Sequence, residues 1–443
     1  MALEENNEGL KRVVGVFGLS ATVVNFSIGA GIYVLPAIIG IQLGAAGIIG
    51  YLLCGLMFSA IILCYVEVGS KIKTSGGSYA YVEKAFGPFA GFIINWLFFF
   101  GWGILSDAAI MNVIADSLSV LFPVFLNPIF RSLLFFSLIG LMILVNIRDA
   151  KQSVRIVELI TIIKLIPLFG IIIFGFYHIE MSNLHWEQLP SLKTFGDTAL
   201  ILFFAFAGFE SSLGVSGEIK NPKRTVPRGI LFGGIIVFVI YVLIQIIVQG
   251  VLGSNLSEFK DAPLAAIAER IVGSTGLTIL LYAAVISGFG AVIGDVLASS
   301  RLLFAGAKDG LFPKFLGKVH PRFGTPFWAI IVYGSLIFIF SVSGGFKQLA
   351  ILASGALLLI YLAVILALIK LRFKKEPIQE KTFKVPGGLI IPCFAIGAII
   401  YVLSNLSKQE IVSLIVFVLL ISFIYFVMKW WQNKSKNIVN EVK

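Results

Sequence analysis

Long uncharged stretches alternate with short charged ones along this chain. From Val13 to Val66 there is no Asp, Glu, Lys or Arg over 54 residues, which is too long for one membrane-spanning helix of about 20 residues and long enough for two. The apolar blocks lack the polar alternation of a barrel strand, so each predicted span is a helix that satisfies its own backbone. The pattern predicts an all-α polytopic membrane protein.

Hydropathy and turn signals predict twelve transmembrane helices. Their approximate bounds are 14–40, 44–69, 89–119, 131–148, 155–178, 197–216, 228–252, 274–305, 326–344, 348–371, 388–406 and 411–431. One transmembrane domain over 14–431 follows, between an N-terminal tail, 1–13, and a C-terminal tail, 432–443. Composition excludes a soluble protein, because 58% of the residues are hydrophobic and 13% charged, against about a quarter charged in soluble domains.

Basic residues are distributed unevenly between alternate loops. If the N-terminus is cytoplasmic, the cytoplasmic segments hold 27 of the 34 lysines and arginines and the opposite loops hold six. The positive-inside rule then predicts a multi-pass protein of the cytoplasmic (inner) membrane with both tails in the cytoplasm. Since this topology accounts for the net charge of +11, we expect the lipid bilayer as a partner and no nucleic acid.

The sequence offers little conventional catalytic or metal-binding chemistry. The three cysteines lie in apolar segments and the three histidines in predicted loops, so neither a disulfide framework nor a metal site is expected. No Gly-x-x-x-x-Gly-Lys loop is present, which argues against ATP coupling. No cofactor is expected. An integral membrane enzyme would need a cluster of catalytic groups, and a channel would need a continuous polar stripe. The sequence shows neither, so both are remote alternatives.

Small residues interrupt the first and the sixth predicted helix. Residues 28–32 read Ile-Gly-Ala-Gly-Ile, and residues 204–210 read Phe-Ala-Phe-Ala-Gly-Phe-Glu. One such motif alone more often serves helix packing. However, spans one and six are matching positions of two five-helix repeats, and paired interruptions of this kind mark substrate sites in transporters. The first break would expose N–H groups to a carboxylate and the second would free carbonyls for an ammonium group.

Several short motifs occur in a specific order. They are Gly-Ala-Gly-Ile-Tyr at 29–33, Gly-Gly-Ser-Tyr-Ala-Tyr at 76–81, Ala-Phe-Gly-Pro at 85–88, Phe-Ala-Gly-Phe-Glu at 206–210, Asn-Pro-Lys-Arg at 221–224, Ser-Arg-Leu-Leu-Phe at 300–304 and Lys-Asp-Gly-Leu-Phe-Pro at 308–313. From its first span to its last, the chain resembles bacterial amino acid permeases of the amino acid–polyamine–organocation (APC) superfamily.

The resemblance implies an inverted-repeat fold of the leucine-transporter type. Repeat one would cover about 14–178 and repeat two about 197–371, with two further helices at about 388–431. Members of the family move amino acids, and some move polyamines, by alternating access between the two sides of the membrane.

The resemblance also implies a substrate site at the two breaks. The residues concerned are Phe26, Gly29, Ala30, Gly31, Phe204, Ala205 and Ala207. The carboxylate would meet the N–H groups of 29–31, and the ammonium group would meet carbonyls near Phe26 and around 204–207. Phe204 falls where relatives carry an aromatic gate. Relatives often have serine at the position of Ala30, so a hydroxyl contact to the carboxylate is missing here.

Two ionisable residues within the spans have roles implied by the resemblance. Because a charge at mid-bilayer costs roughly 2.5–3.5 kcal/mol, such residues are candidates for function. Lys164 matches a lysine that sodium-independent relatives carry where sodium-coupled relatives bind the ion. It would be a fixed strut in an exchanger, or a proton carrier in a symporter if it deprotonates during transport. Glu210, at the end of the second break, is predicted to act as a gate or in coupling.

Two acidic residues leave the charge of the substrate open. Asp107 in span three and Asp295 in span eight border the cavity in this fold, and they would pair with a cationic side chain such as that of lysine, arginine or ornithine, or with a polyamine. Alternatively, they bond to neighbouring hydroxyls or stay protonated. Glu67 and Arg301 lie near cytoplasmic ends of spans, where structural ion pairs or snorkelling side chains are expected.

The sequence therefore predicts a secondary active transporter and not an enzyme. It would carry a small-molecule amino acid without sodium, by proton symport or by exchange. Protons are partners only in the symport case. The alternative within the same class is an antiporter of polyamines or cationic amino acids. The oligomeric state is not predicted.

Overall fold

The computed structural model describes residues 14–72, 77–148, 150–186, 189–308, 310, 312–373 and 383–441. These residues form sixteen α-helices: α1 Val16–Ser27, α2 Leu35–Leu43, α3 Gly47–Lys71, α4 Ser78–Phe86, α5 Pro88–Trp96, α6 Ile104–Leu121, α7 Pro128–Arg148, α8 Ala150–Gly175, α9 Leu192–Phe206, α10 Pro222–Leu252, α11 Pro263–Val272, α12 Ser274–Lys308, α13 Phe327–Ser343, α14 Phe346–Phe373, α15 Ile390–Leu403 and α16 Lys408–Glu441. The prediction of an all-α fold is confirmed.

The helices have the lengths and composition of membrane spans. Within the described ranges, eight helical segments are long and apolar enough to cross a bilayer, and four shorter apolar helices fall in the remaining predicted spans. Large apolar side chains are exposed on the outside of the bundle, among them Phe136 on α7 and Phe423 on α16. Exposed apolar surface on this scale fits contact with lipid. A polytopic membrane protein is thus confirmed, whereas the count of twelve crossings stays a prediction.

Short helices stand at matching places in the two halves of the chain. α4 follows α3, the second predicted span, and α11 follows α10, the seventh. The first and sixth predicted spans are each broken, as α1 with α2 and as α9 with the 3₁₀ segment Phe209–Glu218 after it. Two related five-helix repeats would produce this correspondence, although the repeat boundaries remain a prediction.

A π-helical segment, Leu97–Gly103, joins α5 to α6 and brings that span close to its neighbours. A Cβ atom built on Gly101 would lie 2.8 Å from the Ala356 Cβ, and one built on Gly103 would lie 2.8 Å from the Tyr333 Oη. Glycine is therefore required where this span meets α13 and α14. π-Bulges are frequent at functional sites, and Trp102, within the segment, lines the cavities described below.

A buried carboxylate fastens three segments at one end of the bundle. Glu67 on α3 is fully buried and accepts hydrogen bonds from Lys71, Arg372 and the Val385 N–H. Glu67 is therefore a member of a structural ion-pair network, whose partner on α14 is Arg372. Arg301 instead donates to the carbonyl oxygen of Leu297 on its own helix.

Candidate functional site

The first break separates α1 from α2. α1 ends at Ser27, Gly29 is extended (φ −94°, ψ −159°), and a 3₁₀ turn, Ala30–Tyr33, leads into α2. The first N–H groups of a helical turn have no partner within it and lie at its positive end. Those of Ala30 and Gly31 are therefore suited to an anion, whereas the Gly29 N–H donates to the Ser27 carbonyl oxygen at 3.1 Å.

The second break separates α9 from the 3₁₀ helix Phe209–Glu218. α9 ends at Phe206, Ala207 is extended, and Gly208 has a φ of +116°. The last carbonyl oxygens of a helix have no donor within it and lie at its negative end. Those of α9 are therefore suited to a cation such as an ammonium group.

The two breaks meet backbone to backbone. A Cβ atom built on Gly208 would lie 2.6 Å from the carbonyl oxygen of Phe26 and 2.9 Å from the amide nitrogen of Ser27. A side chain would clash there, and the positive φ disfavours any residue but glycine. Glycine at this position is thus needed for the contact between the breaks.

A cavity of about 40 Å³ lies at this contact. Both breaks and two neighbouring spans line it, through Phe26, Ser27, Gly29, Gly31, Leu35, Trp102, Ser106, Ile110, Phe204, Ala205, Ala207 and Tyr241. The Phe204 ring lies 5.6 Å from the ring of Trp102 and 5.7 Å from that of Phe346, centroid to centroid. Phe204 and Trp102 line the cavity, and Phe346 packs against the ring of Phe204 without lining it.

Six of the seven residues predicted to bind substrate line this cavity. The exception is Ala30, which is buried with its Cβ towards α12, where a Cβ atom on Gly288 would lie 3.2 Å away. Any contribution of Ala30 to a ligand in the cavity would therefore come from its backbone.

Lys164 connects α8 to both halves of the broken first span. Its Nζ donates to the carbonyl oxygen of Asn25 at 2.9 Å and to the Asn25 Oδ1 at 2.7 Å. The Tyr33 hydroxyl, beyond the break, donates to the Lys164 carbonyl oxygen at 3.3 Å. Lys164 is 2% exposed, so its ammonium group lies buried against the last turn of α1.

Glu210 holds the second break against α14. Its two carboxylate oxygens accept from the Gly208 N–H at 3.1 and 3.0 Å, and Oε2 also accepts from the Tyr361 hydroxyl at 2.9 Å. Glu210 is buried and is not among the residues that line either cavity. Its contacts therefore link the backbone of the break to a neighbouring helix.

A larger cavity of about 250 Å³ adjoins the first and shares four lining residues with it. The shared residues are Phe26, Trp102, Ser106 and Ile110; the others are Asn25, Asp107, Gly208, Ser211, Gly290, Ala291, Gly294, Asp295, Leu297 and Ala298.

Both predicted selectivity residues, Asp107 and Asp295, line the larger cavity. The Asp107 Oδ2 accepts from the Tyr333 hydroxyl at 3.2 Å. Among the described residues, none donates a hydrogen bond to Asp295. Gly290 and Gly294, from the glycine-rich run before Asp295, line the cavity, and a Cβ atom on Gly290 would clash with the side chain of Ile160 on α8.

Sequence reasoning missed six of the twelve residues that line the small cavity, and it missed Asn25. Trp102, Ser106 and Tyr241 line the small cavity, and Asn25 binds Lys164. The Tyr241 hydroxyl donates to the carbonyl oxygen of Ser27 at 3.1 Å, beside the first break. Trp102 could have been suspected from its place between two glycines. Tyr241 lies in the apolar stretch 229–244 of α10 and gives no such signal.

Comparison with known proteins gives a consistent result. A family model described as "Amino acid permease" matches residues 14–431. The "Branched-chain amino acid permease BcaP" of Bacillus subtilis is 26% identical over 96% of this chain and 95% of its own length. The "Serine/threonine exchanger SteT" of the same organism is 27% identical over 93% of this chain and 94% of its own length. The human "Cystine/glutamate transporter" is 28% identical over 96% of this chain and 87% of its own length.

Proposed function

Because the chain belongs to the amino acid permease family, we propose that it is a sodium-independent secondary transporter that binds its amino acid between the two helix breaks. The observation that carries this proposal is the contact between the breaks at Gly208 and Phe26, with a cavity beside it. The three relatives described above are named for different substrates, and their sequence identities to this chain are nearly equal. Their likeness therefore does not select the amino acid.

The polarity of the breaks matches the two charged groups of an amino acid. The substrate carboxylate would bind the N–H groups of Ala30 and Gly31 at the positive end of the turn, and the ammonium group would bind the last carbonyl oxygens of α9. Phe26, Ala205 and Ala207 offer backbone without bulky polar side chains nearby. Phe204 would cover the bound substrate, because its ring already lines the cavity.

Lys164 supports independence from sodium. Its ammonium group occupies the space between α8 and the Asn25 carbonyl oxygen, so a second cation at this place would meet like charge at close range. An ammonium group that keeps this bond throughout the cycle fits exchange, and one that releases its proton fits symport.

Glu210 would transmit movement of the second break. Its carboxylate joins the Gly208 N–H to the Tyr361 hydroxyl, so displacement of the half-helix after Gly208 must either break this link or move α14 with it. Alternating access requires contacts that differ between two states, and this link would be one of them. We assign Glu210 the role of a gate.

A second candidate within the same class is transport of cationic substrates. The larger cavity opens from the site and carries Asp107 and Asp295, the latter without a described hydrogen-bond donor. Asp295 is half-buried and lines the cavity, so a cationic side chain that reaches in from a substrate at the breaks would form a charge-assisted hydrogen bond with its carboxylate.

Uptake into liposomes tests the proposal. Purified protein would be reconstituted and given a panel of labelled amino acids and a polyamine, with and without internal substrate, sodium and a pH gradient. We expect saturable uptake of at least one amino acid that is unchanged when choline replaces sodium. Absence of saturable uptake for the whole panel, from protein that remains monodisperse, would refute the function.

A matched pair of lysine variants tests the ion position. Lys164→Ala removes the bonds to Asn25, and we expect at least a tenfold loss of uptake, since a hydrogen bond from a charged group contributes about 1.5–3 kcal/mol. Lys193→Ala, at an exposed position at the start of α9, is the control and should leave uptake unchanged. Equal uptake by both variants would exclude a functional role for Lys164.

A matched pair of aspartate variants tests the cationic alternative. Asp295→Asn should abolish uptake of cationic substrates and spare neutral ones, whereas Asp197→Asn, at an exposed position on α9, should affect neither. Equal loss of cationic and neutral substrates in the Asp295 variant would remove the charge-pairing role.

A further inference from the structure

The segment 312–326, which precedes α13, is anchored to the bundle by two buried apolar side chains. Phe312 and Leu316 are 2% and 4% exposed. The Phe312 ring lies 5.2 Å from that of Trp96 and 6.0 Å from that of Phe99, centroid to centroid. A 3₁₀ turn, Lys314–Gly317, runs between and beyond these anchors. The segment therefore has a defined position on the end of the bundle.

The second half of the segment is fixed by hydrogen bonds. The His320 N–H donates to the Thr325 carbonyl oxygen at 2.8 Å, and the His320 Nδ1 accepts from the N–H groups of Arg322 and Phe323 at 3.2 and 3.3 Å. The Thr325 hydroxyl donates to the carbonyl oxygen of Ile147 on α7 at 2.7 Å. These bonds hold the turn against the end of a membrane-spanning helix.

Aromatic rings join the two halves into one surface. Phe315 contacts Trp328 at 6.2 Å between centroids, Trp328 contacts Phe327 at 5.1 Å, Phe327 contacts His320 at 5.4 Å, and His320 contacts Phe323 at 4.7 Å. Phe315 and Trp328 are exposed. Trp328 is the second residue of α13. Tryptophan is enriched at the membrane–water interface, because its amphipathic ring suits the level of the lipid headgroups.

Four basic residues lie in this segment or at the end of the helix before it, and the Lys308 Nζ is 4.5 Å from the centroid of the Phe304 ring on α12. Lys308, Lys314, Lys318 and Arg322 are exposed, and in the part of the chain that the structure describes none of them forms an ion pair with a carboxylate. Arg322 lies over the ring of Phe323 at 5.5 Å. Lys308 lies beside the backbone of the 3₁₀ turn, because a Cβ atom on Gly317 would be 3.7 Å from its Cγ. We call these four residues, with Phe315 and Trp328, the basic platform.

We propose that the basic platform binds the headgroup of an acidic phospholipid. The phosphate would lie among the four cations, each contributing in proportion to its closeness to the membrane surface. The acyl chains would run along α13, where Ile339 is exposed as an apolar contact. The positive-inside rule explains why loops at this end of the bundle carry positive charge. It does not explain why four cations without a described carboxylate partner lie beside one fixed aromatic surface.

Lipid retention by the full-length protein tests the proposal. Wild-type protein would be exposed to mixed micelles containing phosphatidylglycerol or phosphatidylcholine, and bound lipid would be counted by native mass spectrometry. We expect selective retention of phosphatidylglycerol that weakens as sodium chloride rises, because the contact is between exposed charges. Equal retention of the two lipids by the wild type would overturn the proposal without any substitution.

A matched pair of triple variants locates the site. Lys314→Gln/Lys318→Gln/Arg322→Gln should lower phosphatidylglycerol affinity by about tenfold or more, since each basic residue near a lipid surface contributes roughly a fivefold factor before screening. Lys220→Gln/Arg224→Gln/Arg228→Gln removes three other exposed charges near the start of α10 and should retain the lipid. Equal loss in both variants would assign binding to overall charge and overturn the platform. Circular dichroism of both establishes that they are folded.

Discussion

The contact between the two breaks predicts a severe effect of the smallest substitution at Gly208. In Gly208→Ala the added Cβ would lie 2.6 Å from the carbonyl oxygen of Phe26 and 2.7 Å from its carbonyl carbon. Both atoms are backbone and cannot rotate away. The φ of +116° at this position is one that alanine adopts only with strain of about 1–3 kcal/mol.

The clash adds to this strain, so the conformation in which the breaks touch should lose about 3 kcal/mol in Gly208→Ala. Since 1.4 kcal/mol corresponds to a factor of ten, we expect about a hundredfold fall in the catalytic efficiency of uptake, kcat/KM. The assay is initial uptake of the best substrate into proteoliposomes, with protein amount and orientation measured for each preparation.

Gly140→Ala is the matched control for this experiment. Gly140 lies within α7, and nothing lies within 4 Å of the Cβ that alanine would add. We expect wild-type uptake from this variant. If Gly208→Ala also transported at the wild-type rate, the close approach of the two breaks would play no part in transport and the site proposed here would be wrong.

Three further substitutions test other parts of the structure. Tyr361→Phe removes the 2.9 Å hydrogen bond to Glu210, and the loss of about 1 kcal/mol should lower the uptake rate severalfold without loss of folded protein. Gln245→Leu should raise the melting temperature, because no described residue bonds to either amide atom of this fully buried side chain and each unpaired atom costs about 1–3 kcal/mol. Glu67→Gln should lower the free energy of unfolding by roughly 2 kcal/mol. This loss is smaller than that from breaking a fully buried ion pair, because Arg372 is partly exposed.

Each of these three predictions would be contradicted by a specific result. Unchanged uptake by the Tyr361 variant would show that the Glu210 link does not limit the cycle. A lower melting temperature for the Gln245 variant would show that its amide is paired in the membrane-embedded protein. An unchanged melting temperature for the Glu67 variant, measured in the same detergent, would remove the structural role of the ion-pair network. The readouts are fluorescence-detected melting curves and liposome uptake.

Much of the architecture was predictable because apolar length is a direct consequence of crossing a bilayer. Each of the twelve predicted intervals contains an α-helix in the structure, and the first and sixth are broken. Helices are expected because a segment in lipid must satisfy its own backbone. The break at residues 28–32 and that at 204–210 were also visible, because small residues and glycines lower helix stability wherever they cluster. These are local properties, which the chain carries independently of its neighbours.

The surroundings of each charged residue were not predictable in the same way. Glu67 was expected in a structural ion pair, but its partner Arg372 is 305 residues away in the chain. Tyr241 and Trp102 come from different spans to the same cavity, and nothing in the local sequence of Tyr241 marks it. The partner of a side chain depends on how helices pack, and packing is decided by the whole chain.

The sequence by itself therefore determined that this protein is a helical membrane protein of a recognisable type, with weak points in its first and sixth spans. Only the tertiary structure decided that those weak points touch, that Lys164 lies against Asn25 beside them, and that Asp107 and Asp295 share a cavity. The physical reason is one of range. Hydrophobic length and helix propensity act within a segment, whereas a binding site is made of backbone ends and side chains that meet only after distant segments have packed.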